Sequence, residues 1–320
     1  MKLLQLSLNM PSTDITPYTI RNYQPADFDS YVRLRLEEGR PEPGGRPITP
    51  QTVAGSLSRP NHSPEQDIFV CEMSGSLIGY IAVMPETGIG RVILNCWLRP
   101  EHRQRGLATR LLVYALRRAR ETGARVAHIN IMEDNNIARM VLTRLGFKCV
   151  RRFLELELDM ARFRGPEASE AQECRHLRRG EENKLTRIQN LSFAEHWGYN
   201  PNTVATTTHR INLTQCSPED IFLAHEGNKV LGFCWTETIS QREGSIFMLG
   251  VAPDCQGKGT GRRLLLAGLS HLKSKGLRVA VLTVDSQNRT ACALYQSVGF
   301  KLRASSLWYE KAVAQDTGAG

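Results

Sequence analysis

The stretch Pro253–Ala267, PDCQGKGTGRRLLLA, decides how this chain is read. Three glycines alternate with small and basic residues and run directly into a leucine-faced helical pattern. Glycine lets the backbone turn tightly and leaves peptide N–H groups open. Those groups, with the positive end of the following helix, form a cradle for an anion. Two phosphate-loop patterns fail here. A Walker A loop needs Ser or Thr after Gly257-Lys258 and a glycine five residues before Gly257, where the chain has Gly259 and Ala252. A dinucleotide fingerprint starting at Gly257 meets Arg262 where its third glycine belongs. The pattern that fits is Q/R-x-x-G-x-G/A, through Gln256, Gly259 and Gly261.

Working outward, the same pattern stands earlier in the chain as Arg103, Gly106 and Ala108 of RQRGLA, and more than the loop is repeated. DIFV at Asp67–Val70 returns as DIFL at Asp220–Leu223. GARVA at Gly123–Ala127 returns as GLRVA at Gly276–Ala280, and LGF at Leu145–Phe147 as VGF at Val298–Phe300. The separations 220−67, 276−123 and 298−145 are all 153. Pro100 and Pro253, Asn135 and Asn288, and Glu157 and Glu310 keep the same offset. The chain therefore reads as a duplicated unit, with copies over residues 1–160 and 173–320. The polar, Gly- and Pro-bearing ARFRGPEASEAQ at 161–172 reads as their linker.

Each copy opens with a short strand, a turn and an amphipathic helix (YTIRNYQPADFDSYVRLRL and CRHLRRGEENKLTRIQNL). Hairpins turning at Ser74–Ser76 and Gly227–Lys229 follow, then the strands RVILNCWL and SIFMLGV. After the glycine loop and its helix come the buried-type strands RVAHINI and RVAVLTV, a helix ending at Gly146 or Gly299, and a last strand containing FLELEL or SLWYEK. The expected fold class is α/β, an α+β mixed sheet: two tandem units, each a mixed central sheet flanked by helices.

Composition narrows the function classes. Of 320 residues 41% are apolar, enough for a sizeable core, and the net charge is +9. The eight cysteines lie apart, without CxxC or zinc-ligand spacing, so no metal site is expected and the thiols read as core filler in a reducing cytoplasm. The opening MKLLQLSLNM is too short to span a bilayer or to be a cleavable signal, and no later run reaches membrane length. Basic clusters flank both loops, in HRQRG, RRAR and GKGTGRR, and no nucleic-acid module is recognisable. The expectation is a cytoplasmic protein, monomer or homodimer, with no nucleic acid and no membrane among its partners.

With the loop placed after a strand and before an amphipathic helix, and followed by Asn288, ALYQSVGF and a closing strand, both copies resemble the Gcn5-related N-acetyltransferase (GNAT) family. The tandem arrangement, with NLSFAEHWGYNP, LGFCWTETI and LYQSVGF, is similar to the mycothiol synthases. The resemblance implies acetyl transfer from acetyl-coenzyme A to a primary amine, with a cysteinyl-sugar amine the family's nearest acceptor. It puts the coenzyme A pyrophosphate on the loop residues Gln256, Gly257, Lys258, Gly259, Thr260 and Gly261. In the first copy the matching residues are Arg103, Gln104, Arg105, Gly106, Leu107 and Ala108. Backbone contacts from Leu249, Gly250, Val251 and Leu98, and Asn288, complete the cofactor set.

Such a transfer needs a neutral amine, a donor for the developing oxyanion and a proton for the leaving thiolate. The resemblance places the acid at Tyr295; a phenol is protonated at neutral pH and can donate to sulfur. The first copy has Leu142 there (295−153), so the C-terminal copy is expected to do the chemistry. The glutamate that mycothiol synthase-like sequences carry before the loop is Ser245 here. Glu237 is the expected substitute, on the reading that it pairs with Phe247 and shares a side of the hairpin with Ser245. Gly250 is expected to permit a bulge. His196, Trp197 and Tyr199 are the expected acceptor contacts. The alternatives are a non-catalytic coenzyme A-binding or sensing protein and a protein or peptide N-acetyltransferase.

Overall fold

The computed structural model describes residues 17–39, 47–60, 62–165, 174–212 and 217–313. The first ten residues and most of the linker lie outside these. The first copy runs β1 (Tyr18–Asn22), α1 (Phe28–Glu38), α2 (Pro50–Leu57), α3 (Pro64–Asp67), β2 (Ile68–Met73), β3 (Ser76–Glu86), β4 (Arg91–Leu98), α4 (Leu107–Glu121), β5 (Val126–Met132), α5 (Asn136–Arg144) and β6 (Lys148–Asp159). The second runs β7 (Cys174–His176), α6 (Glu182–Phe193), α7 (Val204–Ile211), β8 (Ile221–Glu226), β9 (Lys229–Thr238), β10 (Glu243–Val251), α8 (Thr260–Ser274), β11 (Val279–Asp285), α9 (Arg289–Val298) and β12 (Lys301–Ala312). The expected elements appear in the expected order, and α2, α3 and α7 are additional to them. Part of the expected linker is core: Phe163 is buried with Met160 in the second copy's cluster, and its carbonyl accepts from Lys273 Nζ at 2.8 Å.

The strands form one twelve-stranded sheet in the order β1-β2-β3-β4-β5-β12-β6-β11-β10-β9-β8-β7. The two closing strands are exchanged. β12 pairs with β5 of the first copy, β6 pairs with β11 of the second, and β6 and β12 pair with each other. The exchange is two-fold symmetric: Lys301 faces Glu157 and Glu310 faces Lys148, each residue 153 from its counterpart (301−148, 310−157). Helices α4 and α8 cover one face of the sheet with a leucine-rich stripe each. α1–α2 and α6–α7 cover the other, over Tyr80 and Ala82 in one copy and Phe233 and Trp235 in the other.

Two departures from a regular sheet make the site. β4 and β5 run parallel and pair only from Arg91–Val126 to Leu94–Ile129; β10 and β11 pair only from Glu243–Val279 to Ser245–Val281. Beyond those points the central strands part. β10 alone also carries a bulge, between Ile246 and Met248, whereas the β3–β4 ladder is unbroken. The bulge is a real insertion. Gly244 takes the place of Val92 (244−92 = 152), while Ala280 takes that of Ala127 (280−127 = 153). The extra residue is Phe247.

Candidate active site

Both glycine loops have the same backbone. Gly106 (φ 75°) and Gly259 (φ 81°) sit in the left-handed region at the N-caps of α4 and α8, and neither helix start has a side-chain cap. Gln104 (φ 60°) and Gly257 (φ 74°) form a second left-handed turn in each loop. A Cβ built on Gly106, Gly257 or Gly259 meets nothing within 4 Å, so the cradle opens outward. The first residue of the motif works on the protein itself. Arg103 Nε donates to the Leu98 carbonyl at 2.9 Å, and Gln256 Nε2 donates to the Val251 carbonyl at 3.2 Å. That bond ties the strand end to the loop and explains why Arg and Gln are interchangeable there. Lys258 Nζ donates to the Asp254 carbonyl at 3.0 Å, while Leu107 and Thr260 are buried. The exposed N–H groups at the head of a fifteen-residue helix, the outward glycines and the flanking Arg105, Arg110, Arg262 and Arg263 fit a coenzyme A diphosphate.

Asn288 is first a structural residue. Its Oδ1 accepts from Ala291 N at 3.1 Å and caps α9, as Asn135 caps α5. Capping fixes the helix that carries Tyr295. Tyr295 is 7% exposed, its ring packs edge-on against Phe300, and no described residue hydrogen-bonds its hydroxyl. Burial, with the neighbouring Cys234 and Cys292, pushes its pKa well above the usual phenol value. Cys234 lies on β9, so Tyr295 reaches the sheet where β10 and β11 part. Leu142 holds the matching place in the first copy, buried.

On the opposite face stands the carboxylate. Glu237 pairs with Ser245, and not with Phe247 as the sequence reading had it, because the turn is shorter by two positions and the bulge lies beyond it. The consequence for the side chain is unchanged and sharper. Glu237 stands directly across the ladder from Ser245, where Cβ atoms lie ~5 Å apart. Glu237 is 2% exposed, and Arg210 Nη2 on α7 donates to its Oε1 at 2.9 Å. The Arg210 guanidinium lies 3.7 Å above the Phe247 ring. Arg210 was missed in the sequence; its one signal is a lone arginine on the short Thr-rich helix after FAEHWGYN.

Gly250, expected at a bulge, pairs regularly with Phe233. It is glycine because α6 approaches closely: a Cβ would lie 2.8 Å from Ser192 Cβ and 2.7 Å from Phe233. Leu249 faces the α8 side. Two buried polar atoms on the α6–α7 side, Trp235 Nε1 and Ser192 Oγ, have no hydrogen-bond partner among the described residues. A wall that meets a polar ligand would show such atoms.

The three expected acceptor residues divide. His196 is exposed, with Nε2 3.3 Å from Asn288 Nδ2; burial of part of its ring lowers its pKa, against the opposing charge of Asp285. Tyr199 is committed internally, its hydroxyl donating to Asn190 Oδ1 at 2.8 Å and accepting from Asn202 Nδ2 at 3.0 Å. Trp197 packs at the seam between the copies, 5.2 Å from His128 of the first copy and 5.8 Å from Trp308 on the exchanged β12.

The model of the acetyltransferase (GNAT) family matches residues 31–147 and again 185–300. The chain belongs to the GNAT family of acetyltransferases, in tandem form. This acetyltransferase is 30% identical over 292 residues to a mycothiol acetyltransferase of Amycolatopsis mediterranei (strain U-32), covering 87% of this chain and 92% of that one. It is 31% identical over 249 residues to a mycothiol acetyltransferase of Streptomyces bingchenggensis (strain BCW-1), covering 74% and 78%. In fold it is similar to a GCN5-related N-acetyltransferase from Sphaerobacter thermophilus, with a TM-score of 0.70 at 20% identity over 93% of this chain and 96% of that one. A tandem GNAT protein from the clavulanic acid biosynthesis pathway gives a TM-score of 0.69 at 14% identity, over 93% and 99%. Among the described residues no helix is long and apolar enough to cross a membrane, and no group of three or more His, Cys, Asp and Glu side chains could hold a metal ion.

Proposed function

We propose that this chain transfers an acetyl group from acetyl-coenzyme A to the primary amine of a small molecule, and that the C-terminal copy does the chemistry. What supports this reading is that Tyr295, the Phe247 bulge and Glu237 all belong to the second copy, the bulge lying just beyond the last β10–β11 pair, Ser245–Val281. The first copy has Leu142 and an unbroken strand at the matching places.

Acetyl-coenzyme A supplies an activated thioester. Gln256–Gly261 hold its diphosphate through backbone N–H groups at the head of α8. The bulge takes the Phe247 peptide out of the ladder, and an N–H freed there stabilises charge developing on the carbonyl oxygen. Glu237 takes the proton of the incoming ammonium, directly or through a water. Arg210 compensates the cost of burying that carboxylate and holds it in place. Tyr295 donates its proton to the departing thiolate. The likeness to mycothiol acetyltransferases supports a cysteinyl-sugar amine as acceptor. Initial rates of thiol release with cysteinyl glucosaminides, aminoglycosides, polyamines and peptides test the acceptor class. Preference for peptides contradicts the small-molecule reading.

A further inference from the structure

The segment joining α6 to α7 in the second copy rests on residues of the first copy's strands. α6 and α7 both touch the site: Gln189 on α6 donates to Met248 Sδ at 3.7 Å, and Arg210 on α7 pairs with Glu237. The segment between them, 194–203, carries His196 beside the N-cap of α9. The end of this segment nearer α7 is fixed within its own copy by Asn190, whose Oδ1 accepts from Asn202 N and from Tyr199, both at 2.8 Å. Its middle is fixed by the other copy. Trp197 leaves the second copy's core and lies between two first-copy guanidiniums, Arg91 Cζ at 5.9 Å and Arg151 Cζ at 5.5 Å from its ring. Arg91 Nη2 donates to the Gly198 carbonyl at 2.6 Å. The Arg91 side chain is 7% exposed and paired with Glu86.

Gly198 sits at φ 67°, and a Cβ there would lie 2.2 Å from Arg91 Nη1, so the guanidinium fills the space that glycine leaves. The residue of β10 in the place of Arg91 is Glu243, which binds Arg303 at 2.7 Å. Arg91 is thus tied at one end by a carboxylate, is buried between the copies and donates to a loop carbonyl of the second copy.

We propose that Arg91 is a positioning residue for the C-terminal reaction: through Trp197 and Gly198 it fixes segment 194–203, and with it His196, as the wall that receives the amine acceptor. This rests on the function proposed above. It assigns the first copy, which lacks the acid, a task other than chemistry: presetting acceptor geometry, so that the loop does not have to be ordered when the amine binds.

Steady-state kinetics with a reactive amine, together with hydrogen exchange of 194–203, test this in the full-length chain. Arg91→Met should raise the acceptor KM about tenfold, with donor KM and kcat within about twofold, and should speed exchange in 194–203. Arg91→Lys should recover part of the loss. Trp197→Leu should add little in the Arg91→Met background, because the two act as one unit. An unchanged acceptor KM, an equal rise in donor KM, or additive losses in the double variant overturn the proposal. If the parent chain acetylates no amine, the functional reading fails by itself. The exchange arm then still decides whether Arg91 holds the segment, and unchanged exchange overturns the proposal in that case too.

Discussion

Tyr295 and Leu142 hold equivalent places 153 residues apart, and a proton separates them. Tyr295→Phe keeps the ring and its contact with Phe300 and removes the hydroxyl. It should lower kcat by roughly 10²-fold while donor KM changes little, measured by thiol release under saturating donor. Burial raises the phenol pKa, so Tyr295 stays protonated through neutral pH and well into the alkaline range. kcat should therefore show no alkaline fall from this group below ~pH 10, its ordinary titration range. A fall near pH 8 assigns the acid elsewhere. Glu237→Gln should lower kcat/KM for the acceptor across the whole profile, and equal turnover at every pH contradicts its role. His128 and His196 titrate in the other direction. Burial lowers both pKa values, so the fold favours their neutral forms. Their contribution to stability is present above the unfolded value of ~6.5 and is lost as pH falls through it. The melting temperature should drop between about pH 7 and 5, and a flat profile there removes them from the account.

Elements show where a sequence speaks and where it is silent. The glycine loops were legible because left-handed φ and an open anion cradle require particular residues at fixed spacing, and the structure puts Gly106 and Gly259 at those φ values. Asn288 was expected in the cofactor set; the task the structure gives it, capping α9, is ordinary helix chemistry that Asn135 performs equally. The bulge was not legible. Phe247 is a normal strand residue, and a one-residue insertion is compensated in the preceding turn, so the repeat offset conceals it. Gly250 drew attention instead, for a reason that turned out to be close packing by Ser192 and Phe193. Deleting Phe247 should give β10 the unbroken ladder of β4. The protein should still melt cooperatively, by calorimetry, and lose at least ~10²-fold in kcat, the scale of one lost oxyanion donor. Gly259→Ala, at φ 81°, should raise donor KM several-fold through strain in the cradle, with acceptor KM little changed.

At the scale of the whole molecule, the exchanged strands make the two copies one sheet. The repeat was plain from the constant offset, but the exchange was not. FLELEL and SLWYEK are both alternating strands able to pair with either buried neighbour, and local pattern does not choose between partners. The seam buries Leu156 and Leu307 and joins β5 to β12 and β6 to β11 along seven pairs each. Thermal unfolding should therefore be a single transition, and residues 1–160 expressed alone should aggregate or dimerise, since β5 loses the strand that covers its edge. Two separate transitions would show that the copies are independent. An asymmetry is superposed on this symmetric frame: the second copy alone has Tyr295, Glu237 and the bulge at these places, and both copies keep the loop. The most direct test is thiol release from acetyl-coenzyme A across the amine panel, with the parent chain and Tyr295→Phe side by side. The account predicts release with one class of small amine that collapses by roughly 10²-fold in the variant. Release that persists undiminished in Tyr295→Phe, or no release with any amine despite tight donor binding, contradicts it.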